Sequence, residues 1–217
     1  MPTTAAPHQI REDFDTIAAV TPRAEHLGPY EEWLLKNLPR ARGMVLEVGC
    51  GVGNLARRLA SEFERVVAID FSEGMISEAR RRTANGAVEY VCADLFEWLK
   101  EHPGAYDCIV SVATLHHVDL GRALEQMALA LKPGGRLLVL DLLSRKGFVI
   151  NAVAWVVAQL RGVLKRRIAW KLRRAFWRHG RNERYLTLEE VREAALPGSR
   201  VREHLLFRYS IVWDKTI

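Results

Sequence analysis

The sequence predicts an α/β protein, doubly wound around a mostly parallel sheet. Between residues 44 and 142, short runs rich in β-branched residues alternate with helical stretches, the signature of consecutive strand–helix–strand units. The strand-like runs are apolar throughout rather than at every second residue, as strands covered on both faces are. The first of them leads at once into Gly49, Gly51 and Gly53, a glycine-rich turn from strand to helix.

Taken in order, Ile10–Val20 and Pro29–Leu38 read as two helices, with Pro29 opening the second and Leu34, Leu35 and Leu38 at helical spacing. Strands are expected at Met44–Val48, Val66–Asp70, Val88–Ala93, Tyr106–Val112 and Arg136–Leu142. Helices fall between them at Asn54–Phe63, Glu73–Arg82, Leu95–Lys100 and Leu120–Leu131. Pro133 with Gly134 and Gly135 stops the last of these and starts the fifth strand by turn chemistry. The alternation then breaks. Phe148–Trp177 is a long helical region, followed by a helix at Leu188–Ala195 that Thr187 can cap, Glu190 completing a capping box. Two short strands, Val201–Leu206 and Tyr209–Lys215, close the chain. With no internal repeat and no low-complexity linker, the chain reads as one domain over 1–217. It divides into an N-terminal helical cover (1–40), a core (41–143), a helical lid insertion (144–186) and a final helix with strands (187–217).

Composition fits that reading. The chain has 217 residues, 49% hydrophobic and 27% charged, enough for one well-buried core and short for two. Cys50, Cys92 and Cys108 lie beside or inside apolar runs, with no C-x-x-C pair. That argues against a disulfide framework or zinc site and fits a reducing, cytoplasmic location. Met1–Pro7 lacks the apolar core of a signal peptide. The net charge is +6, and much of the basicity sits in one segment: Arg161, Lys165, Arg166, Arg167, Lys171, Arg173, Arg174, Arg178, Arg181 and Arg184.

The glycine turn carries the first chemical signal. Glycine lets a backbone turn sharply and approach a ligand with no Cβ in the way. A dinucleotide loop, G-x-G-x-x-G, would place its third glycine at position 54; here 54 is Asn and the glycine is Gly53. The second strand ends in Asp70. A carboxylate there can accept both ribose hydroxyls of an adenosine, or it can simply cap the helix that begins near Ser72. Phe71, Ser72 and Met75 would line the same pocket. The third strand ends in Asp94-Leu95, the fourth runs through Ser111 into Leu115-His116-His117-Val118, and Leu131-Lys132-Pro133-Gly134-Gly135 precedes the fifth.

Together, Glu47-Val48-Gly49-Cys50-Gly51-Val52-Gly53, the L-H-H-V strand end and the L-K-P-G-G turn resemble the motifs of class I S-adenosylmethionine methyltransferases. The resemblance runs from about residue 14 to the C-terminus and is strongest over 44–142. The ending Arg208–Trp213 is similar to small bacterial members. It implies a Rossmann-like, doubly wound, mostly parallel seven-stranded sheet with an antiparallel last strand. It also implies S-adenosylmethionine as cofactor, leaving as S-adenosylhomocysteine. The implied cofactor residues are Glu47, Gly49, Cys50, Gly51, Asn54, Asp70, Phe71, Ser72, Met75, Asp94, Leu95 and Ser111. In the family an acid at the position of Asp94 faces the adenine amino group; Asp94 can also merely cap the next helix.

A sulfonium donor supplies an activated methyl group, so the protein must align donor and acceptor and remove a proton where the acceptor carries one. His116 and His117 stand at the end of the fourth strand, and an unperturbed imidazole is well suited to act as a base at neutral pH. Their other reading is that they shape the loop, the reaction running on proximity alone. Adjacent histidines are expected to point different ways, so no metal is assigned. Methyltransferases acting on base amino groups of nucleic acids carry D/N-P-P-F/Y where this chain has Ser111-Val112-Ala113-Thr114. That argues against nucleic acid and leaves a small-molecule substrate, in the lead reading a hydrophobic or aromatic metabolite.

The insertion Gly147–Arg181 has an apolar stripe at helical spacing with basic residues on its other faces, and its apolar start is too short to span a bilayer. It reads as a lid over the substrate. Alternatively, helix 148–178, with Trp155, Trp170 and Trp177, is a membrane-surface element presenting a lipid-like acceptor, or a dimer or RNA contact. The N-terminal helices form the other wall, with His26 and Tyr30 as candidate substrate contacts or plain packing residues. Two further readings compete: a non-catalytic binding module that keeps the pocket, and a nicotinamide-dependent oxidoreductase, which Gly53 in place of a glycine at 54 disfavours.

Overall fold

The computed structural model describes residues 14, 15, 17, 18, 21, 30–83, 86–144, 185–204 and 208–216. The expected helix 148–178 and His26 lie outside them. Helix α1 (Glu31–Asn37) precedes β1 (Met44–Val48); α2 (Asn54–Leu59), β2 (Arg65–Asp70), α3 (Glu73–Arg82), β3 (Glu89–Cys92), α4 (Leu95–Glu101) and β4 (Tyr106–Val112) follow in strict alternation. A 3-10 turn (Leu115–His117), α5 (Leu120–Ala130), β5 (Leu131–Leu142), α6 (Leu188–Ala194), β6 (Arg200–His204) and β7 (Arg208–Asp214) complete the elements among the described residues.

The seven strands form one sheet in the order β3-β2-β1-β4-β5-β7-β6. β1 to β5 pair in parallel, and β7 runs antiparallel to both of its neighbours. This is the doubly wound, Rossmann-like sheet with an antiparallel last strand that the sequence implies. Its chain order reverses between β1 and β4, the place where open α/β sheets leave a crevice at their carboxyl ends.

The apolar runs explain the layers. Leu46, Ile69, Ile109, Leu137, Val139 and Ile211 face α4, α5 and α6, where Leu99, Leu124, Met127 and Val191 meet them. The alternate residues Val45, Ala68, Val110, Leu138 and Val212 face α1, α2 and α3, meeting Leu34, Leu55, Leu59 and Ile76. Central β1 is buried from Val45 onward. Edge strand β6 has only Val201 as an apolar residue among Arg200, Arg202, Glu203 and His204, a charged edge that discourages pairing with another chain.

Several boundaries differ from the expected ones for local reasons. Helix α2 ends at Leu59 rather than Phe63, because the Ser61 hydroxyl donates to Arg58 O at 2.7 Å and draws the chain into a turn. In β5 Leu131 already pairs with Tyr106. The next ladder pair is Arg136 with Cys108, so the Lys132-Pro133-Gly134-Gly135 turn protrudes as an irregularity inside one long strand. β7 stops at Asp214, and Lys215 turns its ammonium onto Ala128 O and Leu131 O at 2.9 and 2.7 Å, capping the end of α5. The expected capping box of α6 is present, with both the Thr187 side chain and the Glu190 side chain engaged. No helix among the described residues is long and apolar enough to cross a membrane.

Candidate active site

The glycine turn leaves β1 with Gly49, Gly51 and Gly53 all at positive φ, a conformation that costs any other residue. Their surroundings divide them. A Cβ on Gly49 would fall 2.1 Å from Thr114 Oγ1, and one on Gly53 2.3 Å from the Tyr90 hydroxyl oxygen. These two glycines permit packing against the protein itself. A Cβ on Gly51 would meet only Met75 Sδ, at 3.9 Å, so Gly51 is the glycine that borders open space.

Beside that opening stand two buried carboxylates. Asp70, at the end of β2, accepts from Gly51 N at 2.9 Å through Oδ2 and from Ser72 N at 3.0 Å through Oδ1. It therefore does not cap α3; Ser72 does, its hydroxyl accepting from Met75 N. Burial raises the Asp70 pKa, against the lowering pull of the Ser72 and Gly51 N–H groups. Glu47 in β1 is 3% exposed. Burial and the neighbouring charge of Asp70 push its carboxyl well above the usual range, partly opposed by Arg57 and the Ala56 N–H. Its Oε2 is buried with no hydrogen-bond partner among the described residues, an orphan acceptor of the kind that a ligand donor satisfies.

The other implied cofactor residues are distributed around this pair. Cys50 is buried behind the turn, its thiol raised by burial and by Glu47 and Asp70. Asn54 begins α2 and accepts from Arg57 at 2.5 Å. Asp94 caps α4, one oxygen accepting from Phe96 N and Glu97 N at 2.8 and 3.2 Å, with Leu95 opening the helix. Ser111 is fully buried and donates its hydroxyl to Val48 O at 3.2 Å, which tightens β4 against β1.

The N-terminal segment reaches this end of the sheet. Ile17 and Ala18 pack with Val52 and Met75, and Asp15 accepts from Ser72 Oγ at 2.5 Å and Gly74 N at 3.0 Å, at the positive end of α3. The Phe14 ring stands edge-on to both Phe71 and His117, at 5.5 Å from each.

Beyond β4 the chain turns through Ala113, the one non-glycine residue at positive φ among the described residues, into the 3-10 turn that carries both histidines. The sequence expectation that the two imidazoles diverge is corrected here: the tight turn leaves their rings 4.0 Å apart. Their partners do differ. His116 Nδ1 lies 2.6 Å from Asp141 Oδ1, and His116 N donates to Asp141 Oδ2 at 3.1 Å. The carboxylate can only accept, so Nδ1 carries the proton. Asp141, fully buried at the end of β5, also accepts from Leu142 N at 2.7 Å. Sequence reasoning missed it. The available signal was an acid inside the apolar run Leu137–Leu143, since a buried acid requires donors.

Tyr30 is placed elsewhere than the glycine turn. It precedes α1 and packs with His204 of β6 and Arg208 of β7.

Comparison with known proteins agrees with this geometry. The model of a methyltransferase domain matches residues 45–135. An uncharacterised methyltransferase of Mycobacterium tuberculosis is 31% identical over 194 residues, covering 85% of this chain and 93% of that one. A ubiquinone biosynthesis O-methyltransferase of Xylella fastidiosa is 35% identical over 111 residues, half of this chain and 45% of the relative. Among solved structures, an S-adenosylmethionine dependent methyltransferase from Mesorhizobium loti shares the fold with a TM-score of 0.64, at 20% identity, over 88% of this chain and all of that one. The chain belongs to the class I methyltransferase family.

The residues present suit a sulfonium-bearing nucleoside. The orphan Glu47 oxygen and the remaining lone pairs on the Asp70 oxygens put hydrogen-bond acceptors beside the glycine turn, where Gly51 leaves its Cβ position unobstructed.

Proposed function

We propose that this chain transfers a methyl group from S-adenosylmethionine to a small hydrophobic or aromatic acceptor in a reducing cytoplasm. The observation that carries the reading is the pairing of Asp70 with Glu47, two buried acids beside Gly51, the glycine of the β1 turn whose Cβ position is unobstructed. When bound, the cofactor supplies an electrophilic methyl group for in-line displacement. Asp70, held by Gly51 N and Ser72 N, takes the ribose hydroxyls. Glu47 answers the cationic end of the ligand, and Asp94 takes the adenine amino group from the start of α4. Phe14 and its neighbours cover the site and exclude water. His116 is the base assigned to an acceptor hydroxyl: with Nδ1 held by Asp141, it receives the proton at Nε2, and His117 lies beside it. The O-methyltransferase among the relatives supports an oxygen acceptor.

Calorimetric titration with S-adenosylhomocysteine tests the donor, with NAD as counter-probe. Binding of the first and not the second is expected; NAD binding alone overturns the reading. Incubation of the protein with labelled donor and a metabolite extract then separates an enzyme from a module that only binds.

A second reading is favoured by the one-sided charge of the chain. Residues 145–184 hold twelve Lys and Arg against one acid, Glu183. In that reading the acceptor is lipid-like and is met at an anionic membrane surface through segment 148–178.

A further inference from the structure

Arg208 opens β7 at the same end of the sheet as the Asp141–His116 pair. It sits across from Leu142, the residue after Asp141, on one side and from His204 on the other. Its guanidinium carbon lies 5.3 Å over the Tyr30 ring. Rings of Tyr30 and Trp33 stand edge-on to His204 at 6.0 and 5.5 Å, and His204 Nε2 is 2.7 Å from Ser210 Oγ. Among the described residues the guanidinium is bordered by the Tyr30 ring and faces no acid. Among the described residues Arg208 makes no ion pair, and its Nη1 is buried without a hydrogen-bond acceptor. Arg42 and Arg82 also bury an Nη1 without an acceptor, but Arg82 is held by Glu78 and Thr21 O, and Arg42 lies over Phe63 at the opposite end of the sheet, before β1; Arg208 alone of the three stands at the carboxyl end. A buried guanidinium nitrogen without an acceptor is a costly arrangement that a bound anion repairs.

We propose that Arg208, walled by Tyr30, Trp33 and His204, binds the carboxylate of the methyl acceptor, which is therefore an organic acid with an apolar or aromatic body. This rests on the methyl-transfer reading and narrows its acceptor class. A planar fork suits a carboxylate in bidentate contact, and the rings bury the body attached to it. Burial and the nearby Arg202 hold the His204 pKa below its usual value. The fork of Arg208 is the cation set against the Tyr30 ring, and a bidentate carboxylate matches it in charge and shape.

The test uses the full chain saturated with S-adenosylhomocysteine, titrated with phenylacetate and 3-phenylpropionate, with the corresponding amides, and with inorganic phosphate. Failure to bind S-adenosylhomocysteine would sink the donor reading by itself and is scored before the acids are added. Given that binding, the acids are expected to bind at least tenfold more tightly than their amides, and phosphate not at all. Arg208→Met should erase the preference by weakening the acids tenfold or more while leaving the amides unchanged. Arg208→Lys, which keeps the charge but loses the fork, should retain part of it and guards against a folding defect in the first variant. Equal binding of acid and amide, no binding of either, phosphate binding as tight as the acids, or a preference that survives Arg208→Met would overturn the proposal.

Discussion

Asp70 and Glu47 are both acids at strand ends, yet their surroundings give them different tasks. Asp70 has two backbone donors and Glu47 leaves one buried oxygen unanswered. Removing Asp70 deletes charge-assisted contacts, each worth about 1.5–3 kcal/mol. Asp70→Ala is therefore expected to weaken S-adenosylhomocysteine binding on the order of 100-fold by calorimetry, with the far-ultraviolet dichroism unchanged. An affinity equal to wild type would reduce Asp70 to a brace for the glycine turn. Glu47 carries a stability signature as well. Its folded pKa lies well above the unfolded value because burial and Asp70 disfavour the anion. The folded state therefore holds a proton that the unfolded chain has released, and stability falls as pH rises from about 4.3, the unfolded value, toward the folded one. Glu47→Gln should flatten that decline in denaturant melts run at rising pH above the unfolded value while weakening cofactor binding. A variant with the wild-type slope and affinity would contradict both roles. At this scale the sequence showed the glycines and acids because their types and spacing are chemical. It did not show that Gly49 and Gly53 answer to Thr114 and Tyr90, or that Asp141 holds His116, because those partners are brought together only by strand pairing: β1 with β4, β1 through β2 with β3, and β4 with β5.

The elements themselves were readable wherever local chemistry sets their ends. Ser72 and Asp119 cap α3 and α5 with side-chain oxygens, and the Thr187–Glu190 box opens α6 as expected. Where the ends depend on distant partners, expectation and structure part: Lys215 leaves its strand to cap α5 across the sheet, and the Lys132–Gly135 turn lies inside β5 because Leu131 finds Tyr106. The α6 box gives a clean test of an element-scale contribution. Val191 of α6 is fully buried in the core cluster of α5, so weakening the cap loosens a packed helix rather than a free end. Thr187→Ala should lower global stability by about 1 kcal/mol, read as a lower denaturation midpoint at constant slope. A shift under about 0.3 kcal/mol, the size expected of an ordinary surface change, would mean that packing of Val191 alone fixes the helix start.

Across the whole molecule the charge is divided rather than spread. The net +6 is the sum of +11 within residues 145–184 and −5 over the rest of the chain. In the sequence, the cationic segment is therefore joined on either side to a remainder of opposite net sign. In the membrane-surface reading, an anionic membrane attracts that segment. Each Lys or Arg near such a membrane contributes about 1 kcal/mol, screened within a Debye length of about 10 Å at 0.1 M salt. Several arginines with Trp155, Trp170 and Trp177 provide both the charge and the interfacial rings for surface attachment. The protein is therefore expected to co-sediment with phosphatidylglycerol vesicles at low ionic strength, to be released as salt rises several-fold, and to ignore phosphatidylcholine vesicles. Replacing Arg166, Arg167, Arg173 and Arg174 with Gln should abolish the attachment and leave S-adenosylhomocysteine affinity intact. Sedimentation that is indifferent to salt would assign binding to the apolar stripe rather than the charge. No sedimentation at low salt would remove the lipid-like acceptor.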